Sequence, residues 1–148
     1  MKIKLTSLAI IFSAAIGGHA YASDLDSDSA TVRMNISQFA ALTDLDDFVL
    51  TTTDTDGAAN AVYSGEDSYH LESNSQVRVS LSGGDLSNGS DTVSTTYALD
   101  NDGLIMDTTV DVVHDGDHSV SAEATLGDIS SQKAGAYSAD ITLTVSTL

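Results

Sequence analysis

The chain has no cysteine, and only five of its 148 residues are lysine or arginine. Without cysteine the protein has no disulfide and no thiol nucleophile, so its stability depends on a packed core. A chain of this length buries about two-thirds of its unfolded surface when it folds. That burial suffices for one domain.

Basic residues are scarce relative to acidic ones, since five bases face 22 acids and the formal net charge is −17. Nucleic acids and anionic membranes both attract basic surfaces, so neither is expected as a partner. Nearly all of the acids are aspartate, which favours turns over helix interiors. The acidity therefore points to a chain of strands and acidic connections.

Long apolar runs are also missing, except for one short stretch near the beginning. Lys2 and Lys4 precede the apolar run Leu8–Phe12, and the small-residue motif Ala20-Tyr21-Ala22 follows. This order is typical of a secretory signal peptide, and the run is too short to span a membrane. We expect residues 1–22 to be the signal peptide, with cleavage after Ala22. The product would be secreted, at the cell surface or in the periplasm in transit, with no membrane insertion.

The rest of the sequence alternates apolar and polar residues at the period of a β-strand. Turn signals rich in Asn, Asp and Gly separate the alternating segments. This pattern predicts an all-β protein with an immunoglobulin-like β-sandwich over residues 38–148, preceded by an acidic lead and candidate donor strand over residues 23–37. The predicted strands are Ala30–Ser37, Asp47–Thr52, Asn60–Ser64, Ser68–Glu72, Ser75–Ser82, Thr92–Leu99, Leu104–Val113, Ser119–Leu126 and Tyr137–Thr147. The only helical candidate is Ser37–Leu42, which is too short to stand alone.

Residues with catalytic chemistry do not form a recognisable motif. The chain has no Gly-x-Ser-x-Gly elbow, and only His70, His114 and His118 remain after the signal peptide. We therefore expect no enzyme, no catalytic residues and no cofactor.

Two motifs could bind metal ions, but each also has an ordinary structural explanation. The spacing His114-x-x-x-His118 suits a transition metal on a helix. Here Asp115-Gly116-Asp117 between them predicts a solvated hairpin tip, and no metal site is assigned. Three acidic loops, Asp54–Gly57, Asp100–Gly103 and Asp115–Asp117, have the carboxylates and glycine that calcium favours. The first two lack the glutamate that an EF-hand needs at its twelfth position, so the remaining interpretations are ordinary turns or weak calcium binding between neighbouring loops.

The segment Ala30–Ser37 has two possible interpretations. Val32, Met34 and Ile36 alternate with polar residues, so they could belong to the first strand of the domain's own sandwich. Alternatively, the segment could leave its domain and complete the sheet of a neighbouring subunit, with these three side chains as anchors in alternate pockets. The apolar residues Ile141, Leu143 and Val145 of the last predicted strand would then line the acceptor groove.

At the level of motifs, the chain resembles the spore-coat-U/Csu-type archaic pilins. The matching stretches are Ala30–Ile36 and the closing segment Ala134–Val145. The resemblance implies a filament subunit joined by donor-strand complementation, with a periplasmic chaperone and an outer-membrane usher as partners. Many such pilins carry a disulfide, which this chain lacks. Biofilm-matrix fibre proteins use the same strand exchange without that machinery.

The sequence thus predicts a structural subunit of an extracellular filament, a pilus or a biofilm-matrix fibre, that self-associates by β-strand donation. The alternative is a monomeric secreted binding module with calcium or ligand contacts at its acidic loops.

Overall fold

The computed structural model describes residues 26–54 and 59–148. The predicted signal peptide and most of the loop Asp54–Gly57 lie outside the described residues. The chain divides into two compact units, Met1–Asn35 and Ile36–Leu148. The described residues of the first unit, 26–35, form no strand or helix.

The second unit is all-β, and its described residues include no α-helix. Its strands are β1 (Ala40–Thr43), β2 (Val62–Ser73), β3 (Val77–Gly83), β4 (Leu86–Ser87), β5 (Thr92–Val93), β6 (Thr95–Leu99), β7 (Ile105–Asp107), β8 (His114–Thr125) and β9 (Ile141–Thr147). A single 3₁₀ turn, Ile129–Ser131, precedes β9. No helix in the described part of the chain is long and apolar enough to cross a membrane.

The strands form two larger antiparallel sheets and one short hairpin. The first sheet has the order β1-β2-β8-β6, the second has the order β7-β3-β9, and β4 pairs with β5. The longest pairing joins β2 to β8 over twelve residues, from Val62 opposite Thr125 to Ser73 opposite His114. This ladder fixes which residues of both strands face inward.

One hydrophobic core lies between the two larger sheets. Its buried members come from four strands of both sheets: Tyr69, Leu71, Val77, Val79, Leu81, Leu99 and Val120. Inward-facing residues alternate with polar outward-facing residues along β2 and β3, as expected for sheets with one solvated face. Two antiparallel sheets around one core are consistent with a β-sandwich, so the all-β prediction is confirmed.

Several predicted strands have different bounds in the structure. The predicted strands Asn60–Ser64 and Ser68–Glu72 are one strand, β2, and the predicted strand Thr92–Leu99 is divided at Ser94. The segment Asp47–Thr52 forms only one isolated bridge, between Thr51 and Ser64. The helical candidate Ser37–Leu42 is wrong, because its second half is strand β1. Residues 30–37 form no strand in this chain.

The largest difference concerns the turn before β8. Asp115-Gly116-Asp117 is not a hairpin tip: all three residues lie inside β8, opposite Glu72, Leu71 and His70. The chain reverses instead at Val110–Asp111, where Asp111 has a φ of 57°. By contrast, the predicted turn at Asn101-Asp102-Gly103 is present, with a φ of 110° at Gly103.

Candidate functional site

Strand β9 is an edge strand of the second sheet, with β3 as its only partner strand in the described chain. The hydrogen bonds of β3 determine which backbone groups of β9 remain at the open edge. The Leu81 N–H donates to the carbonyl of Leu104, at 2.9 Å, so the odd-numbered residues of β3 direct their backbone N–H and C=O groups to β7. The Gln76 carbonyl accepts the N–H of Leu148, so β3 and β9 are hydrogen-bonded to each other through the backbone groups of their even-numbered residues. The odd-numbered residues of β9 therefore direct their backbone N–H and C=O groups to the open edge.

These odd-numbered residues include the predicted acceptor residues Ile141, Leu143 and Val145. All three side chains are half-buried and pack against the core, whereas Thr142 and Thr144 between them are exposed. The open edge thus combines unpaired backbone groups with an apolar face that the chain covers only in part. An edge of this kind is a template for an added strand.

Strand β1 forms the edge of the first sheet that lies near β9. The Asn74 N–H donates to the carbonyl of Phe39, so the odd-numbered residues of β1 direct their backbone N–H and C=O groups to β2. Ala40 and Leu42 therefore direct their backbone groups to the open edge, and their side chains pack against the core. Some Cα atoms of β1 lie within 8 Å of Cα atoms of β9. Two strands on either side of a third strand are about 9.6 Å apart, which is twice the usual spacing between neighbouring strands. A strand added beside β9 must therefore move β1 outward there.

The predicted anchors of the donor segment are among the most exposed apolar side chains described. Val32 is 93% exposed, Met34 84% and Ile36 71%. Val32 and Met34 belong to the first unit, and Ile36 is the first residue of the second. The anchors are thus available at the surface of the chain.

Asn74 fixes the position at which this segment joins the second unit. Its Nδ2 donates to the carbonyl of Ser37 at 2.9 Å, and its Oδ1 accepts the N–H of Phe39 at 2.7 Å. These two bonds hold the backbone directly before β1. They also lie at the boundary between residues 37 and 38 that the sequence predicts for the domain.

A second site surrounds His114 and His118, which lie on the inward face of β8 and not at the solvated hairpin tip that the sequence predicts. Their Nε2 atoms are 2.8 Å apart, and the His118 Nδ1 is 2.7 Å from Oδ2 of Asp100. The His118 ring also lies against the ring of Tyr69, with centroids 5.5 Å apart. Burial, with the negative charge of Asp100, raises the pKa of Tyr69 to about 12.

The electrostatics of this cluster follow from its partial burial. Burial, with the neighbouring His118, lowers the pKa of His114. Burial would raise the pKa of Asp100, but hydrogen bonds from the Ser119 backbone and from His118 outweigh it, so this pKa lies below its ordinary value. Around neutral pH the cluster therefore holds one carboxylate and at least one neutral imidazole.

On the outward face of the same strands, His70 bridges two carboxylates. Its Nδ1 is 2.7 Å from Asp117 and its Nε2 is 3.0 Å from Asp115. The hydrogen bond to Asp117 raises the pKa of His70, against a smaller opposing effect of burial. Both ring nitrogens act as donors only when the ring is protonated. Asp115 and Asp117 therefore pair with a histidine on a strand and are not part of an acidic loop.

In the described part of the chain, no group of three or more His, Cys, Asp or Glu side chains converges as a metal site. The Asp100 carboxylate in the loop Asp100–Gly103 accepts bonds from Ser119 and His118. The other proposed calcium loop, Asp54–Gly57, is described only at its first residue.

Comparison with protein-family models and with curated proteins finds no match to this chain. The assignment of a function therefore depends on the geometry of the two open sheet edges and of the exposed segment.

Proposed function

We propose that this protein is a structural subunit of an extracellular filament, assembled by donation of the segment Ala30–Ser37 to the open edge of β9 in a neighbouring subunit. The observation that carries the proposal is the coexistence of three exposed, alternating apolar side chains with an open, half-covered edge strand in one chain. Each feature alone is a hazard for aggregation. Together they are the two halves of a strand-addition interface.

The chemistry of the two halves is complementary. The odd-numbered residues of β9 have backbone donors and acceptors at the open edge, and an added strand would satisfy them. The apolar side chains of Val32, Met34 and Ile36 would cover the half-buried Ile141, Leu143 and Val145. Main-chain bonds then supply affinity, and the alternate side chains supply register.

The lengths also agree. An eight-residue segment spans roughly 26 Å as a strand, and the seven residues of β9 span roughly 23 Å. The donor segment is therefore long enough to pair along the whole of β9 once β1 has moved outward from that edge.

Donation to a neighbouring chain is favoured over folding back onto the same chain. Folding back beside β1 requires a tight reversal at Ser37–Phe39. Asn74 holds that backbone through three hydrogen bonds, to Ser37 and to both backbone groups of Phe39. A donor and an acceptor at different places on one chain form a heterologous contact, which builds an open filament wherever the rotation between subunits does not close into a ring.

The finer features of the fold and cell biology belong to the same proposal. A sandwich that accepts a strand at β9 is an immunoglobulin-like domain with one strand missing. The segment 1–22 would direct export, and a periplasmic chaperone and an outer-membrane usher are candidate partners during assembly. The resemblance of Ala30–Ile36 and Ala134–Val145 to archaic pilins supports this part.

The test compares two matched variants of the whole chain. In Val32→Ser/Met34→Ser/Ile36→Ser the anchors are removed, and in Thr31→Ala/Asn35→Ala only polar side chains of the same segment change. Electron microscopy and light scattering should show filaments for the parent and the polar variant, and monomers for the anchor variant. Equal assembly of both variants contradicts strand donation through these side chains. Monomers of the parent at high protein and salt concentration contradict the filament itself.

A further inference from the structure

We propose that His114 and His118 form a binding site for one divalent transition-metal ion that favours imidazole ligands, such as Cu(II) or Zn(II). The observation is the convergence of their two Nε2 atoms, 2.8 Å apart, at the beginning of β8. This site is independent of strand donation and lies on another sheet.

The strand backbone brings the two rings together. Residues four apart on a strand lie on the same face, so His114 and His118 both project from the inward face of β8. Gly116 lies between them and has no side chain. A Cβ atom added there would come 3.7 Å from the Nε2 of His114. This is ordinary van der Waals contact, so an alanine would fit, but its methyl group would lie beside the nitrogen that would coordinate the ion.

Asp100 prepares His118 for coordination. Its Oδ2 accepts the Nδ1–H of His118 at 2.7 Å, and its Oδ1 accepts the backbone N–H of Ser119 at 2.8 Å. A carboxylate bonded to Nδ1 fixes the tautomer that leaves Nε2 with its lone pair, and it raises the basicity of the ring. The ring of Tyr69 also stacks against that of His118, with centroids 5.5 Å apart. His118 is thus oriented before any ion arrives.

The distance between the two nitrogens suits a shared ion. Two imidazole nitrogens bound at about 2.0–2.1 Å, with an angle between 90° and the tetrahedral value, are about 2.8–3.4 Å apart. The observed 2.8 Å lies at the lower end of that range. Without the ion, one Nε2–H donates to the other nitrogen. With the ion, the proton of His114 moves to its Nδ1, and a half-exposed ring can make this change.

Two protein ligands leave the other coordination positions to water, because no third His, Cys, Asp or Glu of the described chain joins the group. His70 cannot serve as a ligand in the same way, since Asp115 and Asp117 engage both of its ring nitrogens on the opposite face.

The test titrates Cu(II) into the whole chain without a histidine tag, in the presence of excess calcium. Calcium occupies sites made only of carboxylates and does not compete for imidazole. The variants are His114→Ala, His118→Ala, the double variant, and His70→Ala as the matched control. We expect one equivalent to bind to the parent and to His70→Ala with the same affinity. Each single variant at the site should bind at least tenfold more weakly, and Asp100→Asn about 10–100-fold more weakly.

A measurement on the parent protein alone avoids the effect of substitution on folding. Paramagnetic Cu(II), added in steps below one equivalent, should broaden the NMR ring signals of His114 and His118 first and most strongly, and that of His70 later and less. The proposal is overturned if His70 broadens first, or if the double variant binds Cu(II) as tightly as the parent.

Discussion

Replacing Met34 by serine should weaken strand donation by a factor that follows from its exposure. Full burial of a methionine side chain stabilises by about 1.5–3 kcal/mol. Met34 is 84% exposed in the chain, so burial in a neighbour's groove removes nearly all of that surface from water. Scaling by the exposed fraction gives about 1.3–2.5 kcal/mol, which corresponds to a loss of affinity of about 8- to 70-fold.

The assay measures one donation event without polymerisation. A chain that begins at Ile36 retains the compact second unit, with the Asn74 bonds to Ser37 and Phe39. A fluorescent peptide of residues 30–37 then serves as the donor, and anisotropy gives its dissociation constant. The Met34→Ser peptide should bind about 8- to 70-fold more weakly, and an Asn35→Ser peptide should bind within about twofold of the parent.

Equal binding of the two substituted peptides would contradict the burial of Met34 in the groove. Donation to β9 would be contradicted if the peptide protected no backbone amide of β9 from hydrogen exchange. The amides of Ile141, Leu143 and Val145 should be the ones protected, since they face the open edge.

Three further predictions concern stability. Thr108 is buried, and its hydroxyl accepts the Val77 N–H at 2.9 Å. In denaturant titrations Thr108→Val should lower the free energy of unfolding by about 1–3 kcal/mol, whereas Thr108→Ser should lower it by about 0.8 kcal/mol. The reverse order would contradict the role of the hydroxyl. A Cβ atom at Gly65 would lie 2.6 Å from a backbone carbonyl oxygen, so Gly65→Ala should cost about 1–3 kcal/mol; Gly84→Ala, with nothing within 4 Å, is the control and should change the melting temperature little. The raised pKa of His70 means that its stabilisation is fully present below about pH 6.5 and is lost as pH rises through the folded-state value. His70→Asn should therefore destabilise the protein more at about pH 5 than at about pH 8.5, and equal effects at both would refute the carboxylate pairing.

The sequence predicts elements best where apolar and polar residues alternate in a plain pattern. Strand β9 is visible in the alternation of Ile141, Leu143 and Val145 with threonines, and the structure contains it from Ile141 to Thr147. The sequence predicts two strands, Asn60–Ser64 and Ser68–Glu72, where the structure has the single strand β2. The reason is that its middle, Ser64–Asp67, has small and charged residues that resemble a break.

The beginning of β8 was not predictable, because its inward residues are not apolar. His114, Gly116 and His118 occupy inward positions, and none of them gives the hydrophobic signal of a strand. The twelve-residue ladder with β2 overrides the turn preference of Asp115-Gly116-Asp117. The spacing of His114 and His118 indicated a possible metal motif and was interpreted as a turn, because the geometry of the pair depends on that ladder and on Asp100 from another part of the chain.

Strand β1 illustrates the limit for short segments. Four residues have too little intrinsic preference to decide between helix and strand. The pairing of Ala40–Thr43 with the end of β2, and the hydrogen bonds of Asn74 beside it, decide the conformation. Both partners are more than twenty residues away in the sequence.

The bonds of Asn74 have a mechanical consequence for a filament built in this way. Tension along the filament would enter each subunit through the donated segment and reach the domain at Ser37 and Phe39. Asn74 would take up this load first, and the ladder between β1 and β2 would then bear it along the strand direction, with its hydrogen bonds strained together. Each subunit would thus be joined to the next by a short, stiff coupling, and the filament would resist stretching up to the force at which β1 slides from β2.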